Sequence, residues 1–292
     1  MIQYQRFKYC HYTSIMTTIF GRYTLGDVIG SGSFGKVYMG TSLRTNAIVA
    51  VKVEEKASED ATLSHEAKIL NYLRGPGYIP VLRYYGSIVD TNTNYLVMNL
   101  LGKSLETIKQ DRTLVNSRDA IEVGLQSIKM LRYIHGKSII HRDIKPENFL
   151  FGLDGKSKQL HIIDFGLAKK FVDSNHNHIP ERTDRPIVGT MRYISSNVQD
   201  GMEASRRDDM ISLAYMLIYI QTERLPWQGI KKPIIERERE IIRIKRQVSS
   251  TTLCRGLPDC FAHLLFHAKN LKFDQEPSYG RMERKFIEAL NS

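Results

Sequence analysis

The fold is decided by the stretch His141-Arg142-Asp143-Ile144-Lys145-Pro146-Glu147-Asn148, which a short hairpin separates from Asp164-Phe165-Gly166. Each polar residue type has a chemical use. The carboxylate of Asp143 can accept a hydroxyl proton, and the ammonium of Lys145 can neutralise phosphate charge. The oxygens of Asn148 and Asp164 suit a hard cation such as Mg²⁺. This order and spacing predict phosphoryl-transfer chemistry, because chance charges on a surface loop would rarely reproduce them.

A glycine-rich segment lies near the amino terminus, Gly30-Ser31-Gly32-Ser33-Phe34-Gly35-Lys36-Val37. A dinucleotide-binding turn would be followed by a helix, but the residues after it, Val37-Tyr38-Met39, continue as a strand. The pattern therefore favours a hairpin that folds over nucleotide phosphates. An ordinary hairpin turn is the alternative, since glycines gather in any tight turn.

Two charged residues lie in otherwise apolar patterns. In the strand Ile48–Val53, Lys52 shares a face with apolar residues because strand side chains alternate. In the helical segment Ala61–Leu73, Glu66 lies on the apolar face. A buried carboxylate is costly without a partner, so we predict that Glu66 pairs with Lys52. The alternatives are a lysine that reaches water and a glutamate at the edge of the apolar stripe.

Acidic residues also begin the apolar segment Arg206–Ile220. Asp209 either stabilises the amino terminus of this helix or anchors the His141–Asn148 loop through buried hydrogen bonds. Further on, Lys231–Arg246 mixes both charge signs, which predicts a solvated helix face.

The composition is that of a globular protein. The chain has 292 residues, of which 42% are hydrophobic and 25% are charged, which excludes disordered and low-complexity classes. The longest nearly apolar run, Met210–Ile220, is too short for a membrane span, which needs about 20 residues. Three cysteines and no signal-like apolar run lead us to expect a reducing intracellular compartment, the cytoplasm with the nucleus as a second location.

The chain changes character near Leu100–Ser104. Strand patterns dominate before this point, at Asn46–Glu54 and Tyr95–Leu101, whereas helical patterns dominate after it. The later helices are predicted at Arg118–His135, Arg206–Ile220, Glu236–Val248, Pro258–Leu271 and Arg281–Leu290. This predicts an α+β fold with a small β-rich lobe (21–101), a larger helical lobe (102–292) and an amino-terminal extension (1–20).

On these motifs the sequence resembles a eukaryotic protein kinase and, more closely, the casein kinase 1 family. The resemblance covers Arg22 to Leu290. Its more specific marks are Gly189–Asn197 (GTMRYISSN), Glu203–Leu213 (EASRRDDMISL) and Leu225–Gly229 (LPWQG). Where the family has Ser-Ile-Asn, this chain has Ser195-Ser196-Asn197. The resemblance implies a single bilobal catalytic domain that transfers the ATP γ-phosphoryl group to serine or threonine.

The resemblance also implies the site residues. The catalytic pair is Asp143 and Lys145, Mg²⁺ is held by Asn148 and Asp164, and a substrate phosphate contacts Lys169, Arg185 and Arg192. Internal pairing within the segment is the alternative for these three basic residues. ATP is expected to contact Ile29, Gly30, Ser31, Gly32, Ser33, Phe34, Gly35, Val37, Ala50, Lys52, Glu66, Met98, Asn99 and Leu101.

The net charge of +11 bears on the partners. Residues 101–292 carry +8 of it, residues 21–100 carry +1 and residues 1–20 carry +2. We therefore expect acidic or already phosphorylated protein substrates rather than nucleic acid or a membrane. We also expect a monomer. The sequence ends at Ser292, so no carboxy-terminal regulatory tail is expected.

Two other functions stay open. The chain could be a catalytically inactive scaffold with a kinase fold, although Lys52, Asp143, Asn148 and Asp164 are all present. It could also be a basic nucleic-acid-binding protein, which only the net charge favours. Some family positions differ as well, since Asn99 and Lys103 replace the usual Glu and Pro, and Glu236–Glu240 replaces a more basic stretch.

Overall fold

The computed structural model describes residues 18–32, 35–55, 62–111, 116–153 and 158–292. Ser33 and Phe34 of the glycine-rich segment lie outside the described residues, as do residues 1–17 of the predicted extension.

The strand-rich part forms one antiparallel sheet. Its strands are β1 (Thr18–Ile19), β2 (Tyr23–Gly32), β3 (Gly35–Ser42), β4 (Ile48–Glu55), β5 (Leu82–Ile88) and β6 (Thr93–Asn99). They lie in the order β1-β2-β3-β4-β6-β5. The first described strand starts at Thr18, where β1 pairs with β2, so the sheet includes residues before Gly21, the predicted start of the β-rich lobe.

Strand β4 is central and is covered on both faces. Ala50 packs into the main core with Leu96 and Met98, whereas Val49 and Val51 pack into a smaller cluster on the opposite face. The predicted alternation along this strand is confirmed. It places the side chain of Lys52 on the same face as Ala50, toward the main core.

Helices form most of the remainder. They are α1 (Leu63–Tyr72), α2 (Leu105–Gln110), α3 (Ser117–Gly136), α4 (Ser196–Gln199), α5 (Arg206–Thr222), α6 (Ile234–Gln247), α7 (Ser250–Leu253), α8 (Asp259–Lys269) and α9 (Tyr279–Asn291). Four short strands pair in twos between α3 and α4: β7 (Ile139–Ile140) with β10 (Lys169–Lys170), and β8 (Phe149–Phe151) with β9 (Leu160–Ile162). The five predicted carboxy-terminal helices agree with α3, α5, α6, α8 and α9 to within two residues at each end.

Helix α5 is the centre of the helical part. Every residue from Arg207 to Ile220 is buried, as its all-round apolar pattern predicts. Helices α3 and α8 pack against it, and α9 packs against α3. The close fit appears at Gly124, where a Cβ atom would lie 2.2 Å from Phe286. The predicted α+β fold is therefore confirmed.

Among the residues described above, no helix combines the length and the apolar character needed to cross a membrane.

Candidate active site

The ammonium group of Lys52 joins three separate parts of the chain. Its Nζ atom lies 2.7 Å from Oε2 of Glu66 in α1 and 2.8 Å from Oδ1 of Asp164. Lys52 and Glu66 are buried, with 7% and 1% of their surfaces exposed. The backbone N–H of Phe165 also donates to Glu66. The predicted pairing of Lys52 with Glu66 is confirmed, and Asp164 completes the cluster.

Glu54 sets the position of α1 relative to the sheet. This buried residue of β4 accepts hydrogen bonds from the backbone N–H groups of Thr62 and Leu63 at 2.7 and 3.1 Å. The amide of Asn94 donates to its other oxygen. A carboxylate at a helix amino terminus satisfies otherwise unpaired donors. Glu54 thus fixes the start of α1, and Glu66 lies one turn further along.

Charge pairing sets the protonation of the cluster. Burial by itself would lower the pKa of Lys52, but the charges of Glu66 and Asp164 raise that pKa above its ordinary value. Burial would raise the pKa of Asp164, yet the nearby ammonium of Lys52 brings it below the ordinary value. Lys52 is therefore a cation at neutral pH, and Asp164 is an anion.

Asp209 of α5 holds the backbone of the loop 141–148. Its carboxylate accepts the N–H groups of His141 and Arg142 at 2.7 and 2.9 Å. Arg142 has a φ of 69°, so the chain turns sharply here. Anchoring of the loop, one of the two interpretations of Asp209, is therefore confirmed.

A buried histidine and tyrosine support Asp209 from behind. His135 Nε2 lies 3.0 Å from Asp209 Oδ2, and His135 Nδ1 lies 2.6 Å from the hydroxyl of Tyr279 in α9. Because a carboxylate only accepts, Nε2 must carry the hydrogen. Burial would raise the pKa of Asp209. The hydrogen bond from His135 and the nearby imidazoles of His135 and His141 instead hold this pKa below its ordinary value.

The loop presents Asp143 with both carboxylate oxygens engaged. Oδ2 lies 2.5 Å from Nζ of Lys145, and Oδ1 accepts the N–H and hydroxyl of Thr190 at 3.0 and 2.8 Å. Asn148 donates its amide to the carbonyl of Asp143 at 2.8 Å. Sequence reasoning overlooked Thr190, although it lies within the quoted segment Gly189–Asn197. Thr190 and Asp143 are 47 residues apart in the sequence, so no local sequence pattern indicates their contact.

The residues predicted to hold Mg²⁺ offer suitable atoms. The amide nitrogen of Asn148 is used on Asp143, which leaves its oxygen to accept a cation. Asp164 bonds Lys52 through Oδ1 and retains a second carboxylate oxygen. No cluster of three or more His, Cys, Asp or Glu residues suited to a metal occurs within the described ranges. An amide and a carboxylate still fit Mg²⁺, which usually takes few protein ligands and completes its shell with water and phosphate.

The strands β2, β3, β4 and β6 form a cradle beside this cluster, which carries the residues predicted to contact the nucleotide. Ala50 lies opposite Met98, and Val37 lies opposite Lys52. The hairpin pairs Gly30 with Val37, Ser31 with Lys36 and Gly32 with Gly35. Gly35 has a φ of 118°, and a Cβ atom there would lie 2.0 Å from the carbonyl of Val53, so only glycine fits.

The other residues predicted to contact the nucleotide lie at the edges of this cradle. Ile29 is half-exposed beside an irregularity in β2. Asn99 ends β6 and accepts the N–H of Val81 on its side-chain oxygen at 2.6 Å. The chain leaves the sheet after Asn99, so Leu101 lies in the connection to the helical part.

The three basic residues predicted to bind phosphate do not share one partner. Lys169 and Arg185 both contact Glu203, at 2.8 and 3.4 Å. Arg142, Arg185 and Glu203 line the same cavity of about 220 Å³. Arg192 instead lies over the ring of Tyr219 at 4.9 Å. Internal pairing, the alternative interpretation, is therefore what Lys169 and Arg185 adopt here.

The chain was found to be similar to a known protein family. The model described as protein kinase domain matches residues 23–268. This match covers more than half of the chain and contains every site residue named above except Tyr279.

The buried network behind the loop is testable through Asp209→Asn. Both carboxylate oxygens of Asp209 accept N–H groups, but the amide of asparagine has a single oxygen. In the variant, the NH₂ group must therefore face an N–H donor, and one hydrogen bond is lost. We expect the free energy of unfolding to fall by about 2–4 kcal/mol, as for a disrupted buried network. Hydrogen exchange measured by mass spectrometry should accelerate at the amides of His141 and Arg142. The control is the exposed Asp259→Asn in the first turn of α8. Unchanged exchange at both amides would contradict the anchoring role.

Proposed function

Because the chain belongs to the protein kinase domain family, we propose that it is an active serine/threonine kinase of the casein kinase 1 type. It transfers the γ-phosphoryl group of ATP to acidic or phosphate-primed protein substrates. A protein kinase domain supports phosphoryl transfer in general. The acceptor residue, the subfamily and the substrate preference are proposed on the arguments that follow.

One observation carries the proposal of activity. Lys52 contacts Glu66 and Asp164 at the same time, so the residues for phosphate and for metal are already adjacent. An inactive scaffold would have no need to hold three charged groups together in a buried cleft, where each is costly when unpaired. The assembled cluster therefore favours an enzyme over a scaffold.

Each residue has a definite task in this proposal. When bound, MgATP would supply the reactive phosphoryl group and the cation that neutralises its charge. Lys52 would bind the phosphates, and Asn148 and Asp164 would hold the Mg²⁺. Asp143 would take the proton of the acceptor hydroxyl. Lys145, 2.5 Å from Asp143, would offer positive charge to the transferred group.

The subfamily and the acceptor residue are proposed from the resemblance and from Thr190. Gly189–Asn197 carries the family marks and lies beside Asp143, where Thr190 binds Oδ1 through its hydroxyl. Since Thr190 contributes a small aliphatic hydroxyl beside the proton acceptor, an aliphatic alcohol of the substrate is the acceptor that suits this position best. Serine or threonine is therefore the acceptor that we propose.

Acceptor recognition is proposed to centre on Arg192. Its guanidinium packs on Tyr219 and donates to the hydroxyl of Tyr193. Among the described residues it forms no ion pair, whereas Lys169 and Arg185 are engaged by Glu203. A phosphate would thus find Arg192 available without displacing a carboxylate. The charge of +8 in residues 101–292 also favours an acidic polypeptide.

Asp143→Asn tests the proposed enzyme. The amide cannot take a proton, so we expect at least about a 100-fold lower kcat on a casein or serine peptide substrate, as for loss of a general base. Binding of a fluorescent ATP analogue should persist. Asp111→Asn, at an exposed ion pair with Lys103, is the control and should keep its activity. Undiminished turnover in Asp143→Asn would rule out the assigned base.

Arg192→Ala tests acceptor recognition. Loss of a charge-assisted hydrogen bond should lower kcat/KM for a phosphoserine-primed peptide by about tenfold or more. The matching unprimed acidic peptide should change by less than about threefold, because its weaker charge depends less on one guanidinium. Arg185→Ala is the matched control, and we expect a smaller effect because Arg185 already pairs with Glu203. Equal losses on both peptides, or a larger loss in Arg185→Ala, would refute the role of Arg192.

A further inference from the structure

Lys245 is a buried lysine that lies outside the candidate active site. It lies in α6, in the stretch whose mixed charges predict a solvated face, yet it is fully buried. Its ammonium donates to the carbonyls of Met191 and Ile194, both at 2.8 Å, and to Oε1 of Gln199 at 3.2 Å. The ring of Trp227 lies 5.4 Å away. For this residue the prediction of a solvated face is wrong.

This placement is energetically demanding. Within the described part of the chain no carboxylate pairs with Lys245, and burial lowers its pKa to about 7. Three acceptors surround the nitrogen, and only the protonated ammonium supplies three N–H donors. A buried cation of this kind is tolerated when each of its hydrogens has a partner. The three hydrogen bonds are therefore the reason that a lysine can occupy this position.

All three acceptors belong to one segment of chain, residues 191–199. The indole N–H of Trp227 binds a fourth group of that segment, the carbonyl of Arg192, at 2.8 Å. Side chains from the helical core thus hold the backbone of this segment at several successive points. The side chain of Arg192 remains on the surface, where it packs on Tyr219.

The two residues directly before this segment, Gly189 and Thr190, contact the catalytic loop. Thr190 binds Asp143 through its N–H and its hydroxyl. Gly189 has a φ of 96°, and a Cβ atom there would lie 2.4 Å from the carbonyl of Arg142. An acceptor hydroxyl that reaches Asp143 must therefore lie close to Thr190, the residue directly before this segment. Any shift of this segment moves Thr190 and Arg192 relative to the proton acceptor.

We infer that Lys245 is a positioning residue of the acceptor site, which holds residues 191–199 in register with Asp143 through backbone carbonyls. The inference rests on the proposed kinase function. It assigns to Lys245 a role in placing the protein substrate and none in binding ATP, since the acceptors of its ammonium lie in residues 191–199.

Lys269 provides a matched control. It lies in the neighbouring helix α8, is partly buried, and donates to the carbonyls of Lys245 and Val248 at 2.9 and 3.0 Å. Like Lys245, it is a lysine that binds main-chain oxygens and has a pKa lowered by burial. Its acceptors lie at the end of α6 and not in residues 191–199. Removal of its charge should destabilise the protein without releasing the acceptor segment.

The experiment compares Lys245→Met and Lys269→Met with the unmodified chain. Methionine keeps the aliphatic stem beside Trp227 and removes the hydrogen bonds. For Lys245→Met we expect kcat/KM on a serine peptide to fall by about tenfold to 100-fold, as small misplacements at an active site do. ATP affinity should change by less than about twofold, since the nucleotide cradle is untouched. For Lys269→Met we expect a loss in kcat/KM of less than about threefold.

Hydrogen exchange supplies a readout that does not depend on activity. The N–H groups of Tyr193 and Ile194 bond the carbonyl of Thr190 at 2.8 and 3.1 Å. Their exchange should accelerate in Lys245→Met and stay unchanged in Lys269→Met. If the unmodified chain transfers no phosphate, the proposed function fails, whereas the exchange pattern still decides whether Lys245 holds the segment.

Gln199→Ala is the milder second variant, because it removes one of the three acceptors, together with the hydrogen bond from Gln199 to the carbonyl of Glu238, and leaves Lys245 in place. It should produce a smaller loss of the same kind, in peptide kcat/KM and not in ATP affinity. The inference is overturned if Lys245→Met keeps the peptide kcat/KM and the exchange of the unmodified chain. It is also overturned if ATP affinity falls as steeply as peptide turnover, if both lysine variants behave alike, or if Lys245→Met fails to fold and Gln199→Ala changes nothing.

Discussion

The active site depends on the contact of one buried ammonium with two carboxylates. Lys52 is held in a central strand that pairs on both sides, so its backbone cannot shift without disturbing the sheet. Glu66 and Asp164 reach it from a helix and from a segment 112 residues further along the chain. Each of these groups would be costly to bury alone. Together they hold the central strand β4, helix α1 and Asp164 in fixed positions relative to one another.

In the helical part, too, buried charged side chains hold separate segments of the chain together. Asp209 lies in the buried helix α5 and Lys245 lies on the buried side of α6, and both bind backbone groups of loop segments. Buried charges that bind main-chain N–H and C=O groups restrain a loop without using its side chains. Under the proposed function, Asp143, Lys145 and Arg192 are thereby left to act on substrate. A rigid core that positions short, chemically active loops is the expected arrangement for a catalytic site.

Much of this could be predicted from the sequence, because the relevant signals are local. Strand alternation placed Lys52 toward the core, helical periodicity placed Glu66 on the facing side, and the His141–Asn148 spacing identified the catalytic loop. Contacts between distant segments could not be predicted in this way. Nothing near Lys169 or Arg185 indicates that both meet Glu203, and Lys245 lies among surface charges in sequence but is buried in the fold. Local charge patterns describe a helix face only when no other segment covers it.

The central claim is that this assembled site turns over. The most direct measurement is transfer of labelled phosphate from [γ-³²P]ATP with Mg²⁺ to a serine-containing acidic peptide by the unmodified chain, followed beyond one equivalent of product per enzyme. The account predicts many turnovers, with label on serine and none when Mg²⁺ is chelated. Nucleotide binding in the absence of any transfer to protein or peptide substrates would contradict it and would favour the scaffold.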